Sequence, residues 1–355
     1  MMSNVVFTNC VAETIDRIVS EANPSKVFVL VDENTMSAAL PLMQEGSPAV
    51  SGATVITVKP GDENKNLESL SYIWKQLGDN GGTRHSMLIN LGGGVVTDMG
   101  AFAASTFKRG IRFVNVPTSL LAAVDASVGG KTGINFNGLK NEIGAFKDAD
   151  TVIVSSMFFN TLSATEMRSG YGEMLKHALI KGPEMLADLM RQDVLEVGRE
   201  RMLDLLKENV GVKEEIVRQD PTEKGLRKAL NLGHTTGHAF ESLALRRESP
   251  IPHGYAVAYG LVVELILSVM KTGFPSETMR KIAGYIYENF RAFAVTCNDY
   301  DELIDFMRHD KKNVDVSTIN FTLLKGVGEV ALDSTATFDE IKAALDIYRD
   351  VMHLD

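Results

Sequence analysis

Arg227, Asn231, His234 and His238 recur at i, i+4, i+7 and i+11. On one helix that spacing makes a single stripe of Arg, Asn, His, His where a core helix would carry Leu or Val. A neutral imidazole at His234 can bind a zinc-type ion, and a guanidinium grips carboxylate or phosphate. Well upstream, Glu173-Met-Leu-Lys176-His177 sets a carboxylate and an ammonium one helical turn apart. Glu173 could supply a metal-binding oxygen, and His253, in Pro252-His253-Gly254, is the best third ligand. A single histidine is commonly a hydrogen-bonded structural group; two of them with a glutamate point to a metal. The His-x-x-x-His spacing of 234 and 238 also suits a metalloprotease, but that chemistry wants Glu directly after the first histidine, and this chain has Thr235.

Cations surround these positions: Lys176, Lys213, Arg227, Lys311 and Lys312, with Arg109, Lys131 and Lys140 in the first half. A metal beside several cations implies a substrate that carries phosphate or carboxylate together with hydroxyls to coordinate. The turn Gly92-Gly93-Gly94 falls between a strand pattern and a helix pattern, where backbone N–H groups can hold a pyrophosphate. It departs from the usual dinucleotide fingerprint, whose third glycine is here Thr97, and Asp98 follows in the first turn, suited to a cofactor hydroxyl.

The elements that must position these groups alternate in the first half. Lys26–Val31, Thr54–Val58, Ser86–Leu91, Ile111–Val116 and Thr151–Val154 read as buried strands, and 67–77 and 97–107 as helices. Such alternation argues for a parallel sheet covered by helices, with ligands outside the carboxyl ends of its strands. From about residue 161 long amphipathic helices take over, among them 201–217 and 278–293, with a late hairpin from 319–324 and 326–332. The expected architecture is an α/β, Rossmann-like parallel-sheet domain over 1–160, carrying the glycine turn suited to a pyrophosphate, and a mainly α-helical domain over 161–355, carrying the candidate metal ligands. Net charge is −10 with no long run of Lys and Arg, which argues against a nucleic-acid or anionic-membrane partner. Cys10 and Cys297 cannot make a disulfide framework, the first ten residues do not read as a signal peptide, and 255–270 reads as a buried helix too short to span a bilayer. A cytoplasmic location is expected.

Six blocks together resemble the 3-dehydroquinate synthase family: Gly-Gly-Gly-Val-Val-x-Asp at 92–98, Lys108-Arg109-Gly110, Val116-Pro117-Thr118, the run from Val124 to Gly133, Lys140 to Phe146, and Asn231-Leu-Gly-His234-Thr. The resemblance covers about 26–330. It implies conversion of 3-deoxy-D-arabino-heptulosonate 7-phosphate to 3-dehydroquinate and phosphate. The route is transient oxidation by NAD, phosphate elimination, reduction and an intramolecular aldol closure, with a divalent metal, Zn²⁺ or Co²⁺.

By motif, the resemblance makes Glu173, His234 and His253 the metal ligands. NAD would meet Asp32, Asp62, Lys65, Gly92, Gly93, Gly94, Asp98, Thr118, Ser119, Lys131, Lys140, Phe158 and Thr161. Substrate would meet Lys131, Asn141, Lys176, Lys213, Arg227, Asn231 and one of Lys311 or Lys312, with Arg109 reaching from the partner of a homodimer. Lys131, Lys176, Asp125, Asn141, Glu223 and His238 would be catalytic, the last two as proton carriers. Three positions depart from the family's habit: Thr97 for glycine, Asp62 for glutamate and Tyr255 for glutamate. The neighbouring readings are a sister sugar-phosphate cyclase acting on sedoheptulose 7-phosphate or glucose 6-phosphate, and a metal-dependent polyol or alcohol dehydrogenase. The latter group usually places lysine where this chain has Ala101. A non-catalytic nucleotide-binding protein would have no use for the metal ligands.

Overall fold

The computed structural model describes residues 3–137, 139–308 and 318–354; Lys311 and Lys312 lie outside them. The chain divides into two compact units: Met1–Ser163 with Gly198–Glu214, and Ala164–Val197 with Glu215–Asp355. The expected boundary near 160 sits close to the first division. The segment 198–214, expected with the helical half, groups with the first unit instead. Two contacts explain this: the Ser156 hydroxyl donates to the Arg199 carbonyl at 2.8 Å, and Lys213 Nζ donates to the Asp125 carboxylate at 2.7 Å.

In the first unit the strands are β1 (Asn4–Phe7), β2 (Val27–Asp32), β3 (Thr54–Val58), β4 (Met87–Gly92), β5 (Arg112–Pro117), β6 (Lys131–Phe136), β7 (Leu139–Phe146) and β8 (Thr151–Val154). Six of them form one sheet in the order β1-β8-β5-β4-β2-β3, parallel throughout. The apolar runs of β2, β4 and β5 are buried because helices cover such a sheet on both faces. Where β4 and β5 pair, Asn90 faces Asn115 and donates to its side-chain oxygen at 2.8 Å, which joins two buried amides. The helix Gly94–Thr106 lies close on this pair: a Cβ on Gly100 would stand 2.1 Å from Asn90 Oδ1.

β6 and β7 pair antiparallel as a separate hairpin, and Ala122–Ala126 ahead of them forms a π-helical turn. The second unit holds the helices Ala164–Lys181, Pro183–Met190, His234–Arg246, His253–Thr272, Ser276–Phe290, Tyr300–Arg308 and Phe338–Val351, with a hairpin of β9 (Thr318–Gly326) and β10 (Glu329–Thr337). The helix read at 255–270 is longer than expected. As His253–Thr272 it is long and apolar enough to cross a membrane by length and composition, and most of it is buried inside the fold, as in a core helix.

Candidate functional site

The four-residue stripe does not lie on one helix. Leu226–Asn231 is 3₁₀, Gly233 turns left-handed at φ 78°, and the α-helix begins at His234 itself. The reason is packing: a Cβ on Gly260 of the facing helix would stand 2.1 Å from the Gly233 carbonyl oxygen, so the chain must bend where Gly233 sits. Arg227 and Asn231 therefore belong to the approach, and His234 and His238 to the helix.

Each of the three expected metal ligands has a glycine beside it in sequence, and each glycine marks a backbone-to-backbone approach. A Cβ on Gly172, next to Glu173, would meet the Gly254 carbonyl oxygen at 2.1 Å. One on Gly254, next to His253, would meet the Ser169 carbonyl oxygen at 1.6 Å. The helices Ala164–Lys181, His234–Arg246 and His253–Thr272 thus come into backbone contact beside these three residues. Gly254→Ala is expected to lower folding stability by about 3 kcal/mol, the upper end for overpacking a core. Urea unfolding measures it, and an unchanged midpoint would contradict this packing.

The result is a convergent donor set. Glu173 Oε1 lies 3.4 Å from His234 Nε2 and 3.2 Å from His253 Nε2, and Glu173 is fully buried. Both rings are fixed from behind. His234 Nδ1 donates to the Leu232 carbonyl at 3.1 Å, and His253 Nδ1 faces the Glu241 carboxylate at 3.3 Å. Each Nε2 is left facing Glu173. One carboxylate oxygen and two imidazole nitrogens, all within 4.8 Å of one another, could hold a zinc-type ion.

Lys176, buried one turn along from Glu173, is ion-paired with it. Burial alone would raise the Glu173 carboxyl, but Lys176 and His234 hold it well below the usual carboxylate range. Burial and the Lys176 charge push His234 down, toward the neutral form a metal requires. At His253 burial opposes the charged form, yet the hydrogen bonds to Glu173 and Glu241 win and raise it to about 10. Two carboxylates thus favour positive charge at this spot, which a divalent cation would supply. His238 stands on the exposed side of the cluster, its ring centre 5.3 Å from that of His234. Arg227 is buried, donating from Nη1 to the Pro221 carbonyl at 2.8 Å, and Asn231 Nδ2 donates to Glu223 Oε1 at 3.0 Å.

The first unit gathers a second group. Buried Lys65 donates to Asp98 Oδ2 and to Asn141 Oδ1, each at 2.5 Å. Asn135 ties the hairpin down by donating to the Lys65 carbonyl at 2.8 Å and the Asp62 carbonyl at 2.9 Å. Burial raises the Asp98 carboxyl despite the pull of Lys65. Gly93 caps the helix Gly94–Thr106 without a side chain, leaving N–H groups at its start for an anion. Thr118 N–H donates to the Gly92 carbonyl at 3.0 Å, and Ser119 Oγ accepts from Ala122 N–H at 3.2 Å. Phe158 is buried, and its carbonyl accepts from the Thr161 hydroxyl at 2.8 Å. Arg109, Lys131 and Lys140 are exposed, Arg109 in a turn at φ 71°. Asp32 has a structural task as well: it caps the next helix through Thr35 N–H at 2.7 Å.

The three departures have local partners. The Thr97 hydroxyl donates to the Gly94 carbonyl at 3.1 Å, Asp62 pairs with Lys140 at 3.6 Å, and Tyr255 packs edge-on against Phe290 at 5.2 Å. Sequence reasoning passed over Glu241 and Glu264. The first was legible as the next member, at i+7 from His234, of the face that carries His238. The second gave no local signal.

A family model described as 3-dehydroquinate synthase N-terminal matches residues 55–169, and one described as 3-dehydroquinate synthase C-terminal matches residues 170–313. The 3-dehydroquinate synthase of Parabacteroides distasonis is 46% identical over 346 residues, 98% of each chain. That of Thermococcus kodakarensis is 38% identical over 339 residues, 94% of this chain and 92% of the relative. Among solved structures, a 2-deoxy-scyllo-inosose synthase complexed with carbaglucose-6-phosphate, NAD⁺ and Co²⁺ has a TM-score of 0.85 at 21% identity, covering 98% of this chain and 96% of that one. A 2-epi-5-epi-valiolone synthase from Streptomyces hygroscopicus with NAD⁺ and Zn²⁺ bound has a TM-score of 0.84 at 22% identity, covering 99% and 97%. At these identities the two structures share the fold.

Proposed function

This chain belongs to the 3-dehydroquinate synthase family, and from that membership we propose that it closes 3-deoxy-D-arabino-heptulosonate 7-phosphate to 3-dehydroquinate with loss of phosphate, a carbon–oxygen lyase reaction. The observation that carries the reading is the convergence of Glu173, His234 and His253 beside Lys176. Those three residues would hold the divalent metal, Zn²⁺ or Co²⁺. The uncapped start of Gly94–Thr106, with Lys65, Asp98, Thr118 and Ser119, would hold NAD. When bound, the metal polarises adjacent substrate hydroxyls and NAD takes up and returns one hydride.

The chain's own residues supply the rest. Lys176 and Arg227, buried cations of the second unit, neutralise the phosphate and carboxylate of the substrate, helped by Asn231. In the first unit Lys213 is fixed on the Asp125 carboxylate, which orients both, while Lys131 and Asn141 offer further polar contacts. His238, exposed beside the metal ligands, carries protons, and Glu223, held by Asn231, does the same. The aldol closure needs orientation more than strong acid–base help. Contribution of Arg109 by the partner of a homodimer, and a cytoplasmic setting, are part of the same proposal.

The test is phosphate release from 3-deoxy-D-arabino-heptulosonate 7-phosphate. With NAD and zinc, release is expected, and omission of NAD or addition of a chelator abolishes it. Absence of release in the complete mixture would overturn the reading, as would turnover confined to sedoheptulose 7-phosphate.

A further inference from the structure

We propose that Glu264 is a positioning residue for the metal centre, acting on His234 through the peptide unit that joins Leu232 to Gly233. Glu264 is fully buried on the helix His253–Thr272. Its Oε2 accepts from Gly233 N–H at 2.6 Å and its Oε1 from Thr236 N–H at 3.1 Å. These donors flank His234 in the chain, and the residue at the helix start, Gly233, offers no side chain to cap the Thr236 N–H.

The Gly233 N–H and the Leu232 carbonyl belong to one peptide unit. That carbonyl is the acceptor for His234 Nδ1 at 3.1 Å. The chain of contacts therefore runs from the Glu264 carboxylate to the peptide N–H, across the rigid peptide to its carbonyl, and on to the imidazole whose Nε2 faces Glu173. Linked hydrogen bonds polarise one another in a dry interior. A negative group at one end makes the carbonyl a stronger acceptor, which fixes the ring and raises the basicity of its far nitrogen. His253 has the direct form of this arrangement, with Glu241 behind Nδ1. His234 has the relayed form.

Glu264 also ties the two histidine helices together. It lies on the helix that His253 begins, one turn beyond Gly260, and Gly260 is the residue pressed against the Gly233 carbonyl oxygen. Gly233 is thus held at its N–H by Glu264 and at its carbonyl by Gly260. A shift at this turn moves His234 Nε2 relative to His253 Nε2, and metal sites tolerate only small departures in ligand distance.

The inference rests on the metal assignment above, and Co²⁺ is the probe for both. In Glu264→Gln one of the two acceptor oxygens becomes an NH₂ group facing a backbone N–H. The folded variant is expected to bind Co²⁺ about 10- to 100-fold more weakly, with a changed visible absorption spectrum. Glu264→Asp, which keeps both oxygens, is expected to fall between the variant and the wild type, and it carries the same test should Glu264→Gln fail to fold. Thr337→Ala, which removes the cap of the helix Phe338–Val351 and alters no group hydrogen-bonded to Gly233, His234 or Thr236, serves as control and is expected to lower stability without changing Co²⁺ affinity or spectrum. Folded Glu264 variants with wild-type Co²⁺ affinity and spectrum would overturn the proposal, and so would an equal loss of affinity in Thr337→Ala. A wild-type chain that binds no Co²⁺ would instead overturn the metal assignment, and the proposal with it.

Discussion

Glu173→Gln is expected to lower zinc affinity by at least about 100-fold and to bring phosphate release to background when zinc is not in large excess. Structural zinc is bound with roughly 10–16 kcal/mol spread over about four ligands, so one ligand is worth about 3 kcal/mol, or about two decades in affinity. The amide also removes the only charge in the donor set: Glu173 Oε1 is the atom on which both Nε2 nitrogens converge. In the metal-free protein the same change leaves Lys176 buried without its partner, a loss of about 3–5 kcal/mol. Isothermal titration with zinc and an unfolding curve of the stripped protein read the two effects separately. Unaltered zinc affinity would show that Glu173 is not a ligand.

Lys176→Met is expected to lower turnover by about 10²- to 10³-fold, the usual effect of removing one preorganised charge from a dry site. Its companion effect distinguishes it from simple damage. Stripped of metal, the variant keeps the buried Glu173 carboxylate without its ammonium partner and is destabilised. Bound zinc supplies that charge again, so zinc should raise the unfolding temperature of Lys176→Met by more than it raises that of the wild type. Turnover at the wild-type level would contradict the role given to Lys176.

The parallel sheet was legible because its inner strands are buried on both faces and read as apolar runs, as in Val27–Asp32 and Met87–Gly92, while the edge strand Thr54–Val58 is β-branched throughout; all three lie within a residue or two of the segments expected. β1 was not, since four half-exposed residues at the start of the chain carry no pattern. The hairpin β6–β7 was missed for a different reason. Its strands mix polar and apolar residues without alternation and carry one glycine each, and Gly133 pairs with Gly144 because a Cβ on Gly144 would stand 2.1 Å from the Thr132 carbonyl oxygen. Only the cross-strand partner reveals what such glycines are for.

At the site, residue types were legible and backbone paths were not. Spacing alone makes Arg227 to His238 one helical stripe, whereas the bend at Gly233 depends on Gly260, a contact between segments far apart in sequence. Glu264 was invisible for the same cause. In sequence it is a lone acid in an apolar run, and only the fold brings its oxygens to Gly233 and Thr236.

The most direct measurement is phosphate release from the heptulosonate phosphate, followed while zinc is returned stepwise to chelator-stripped protein with NAD present and bound zinc counted per chain. Activity should rise in proportion to occupancy and level off at one ion per chain, and in Glu173→Gln it should not rise under the same additions. Full turnover by the stripped protein, or a rise in Glu173→Gln equal to that of the wild type, would contradict the account.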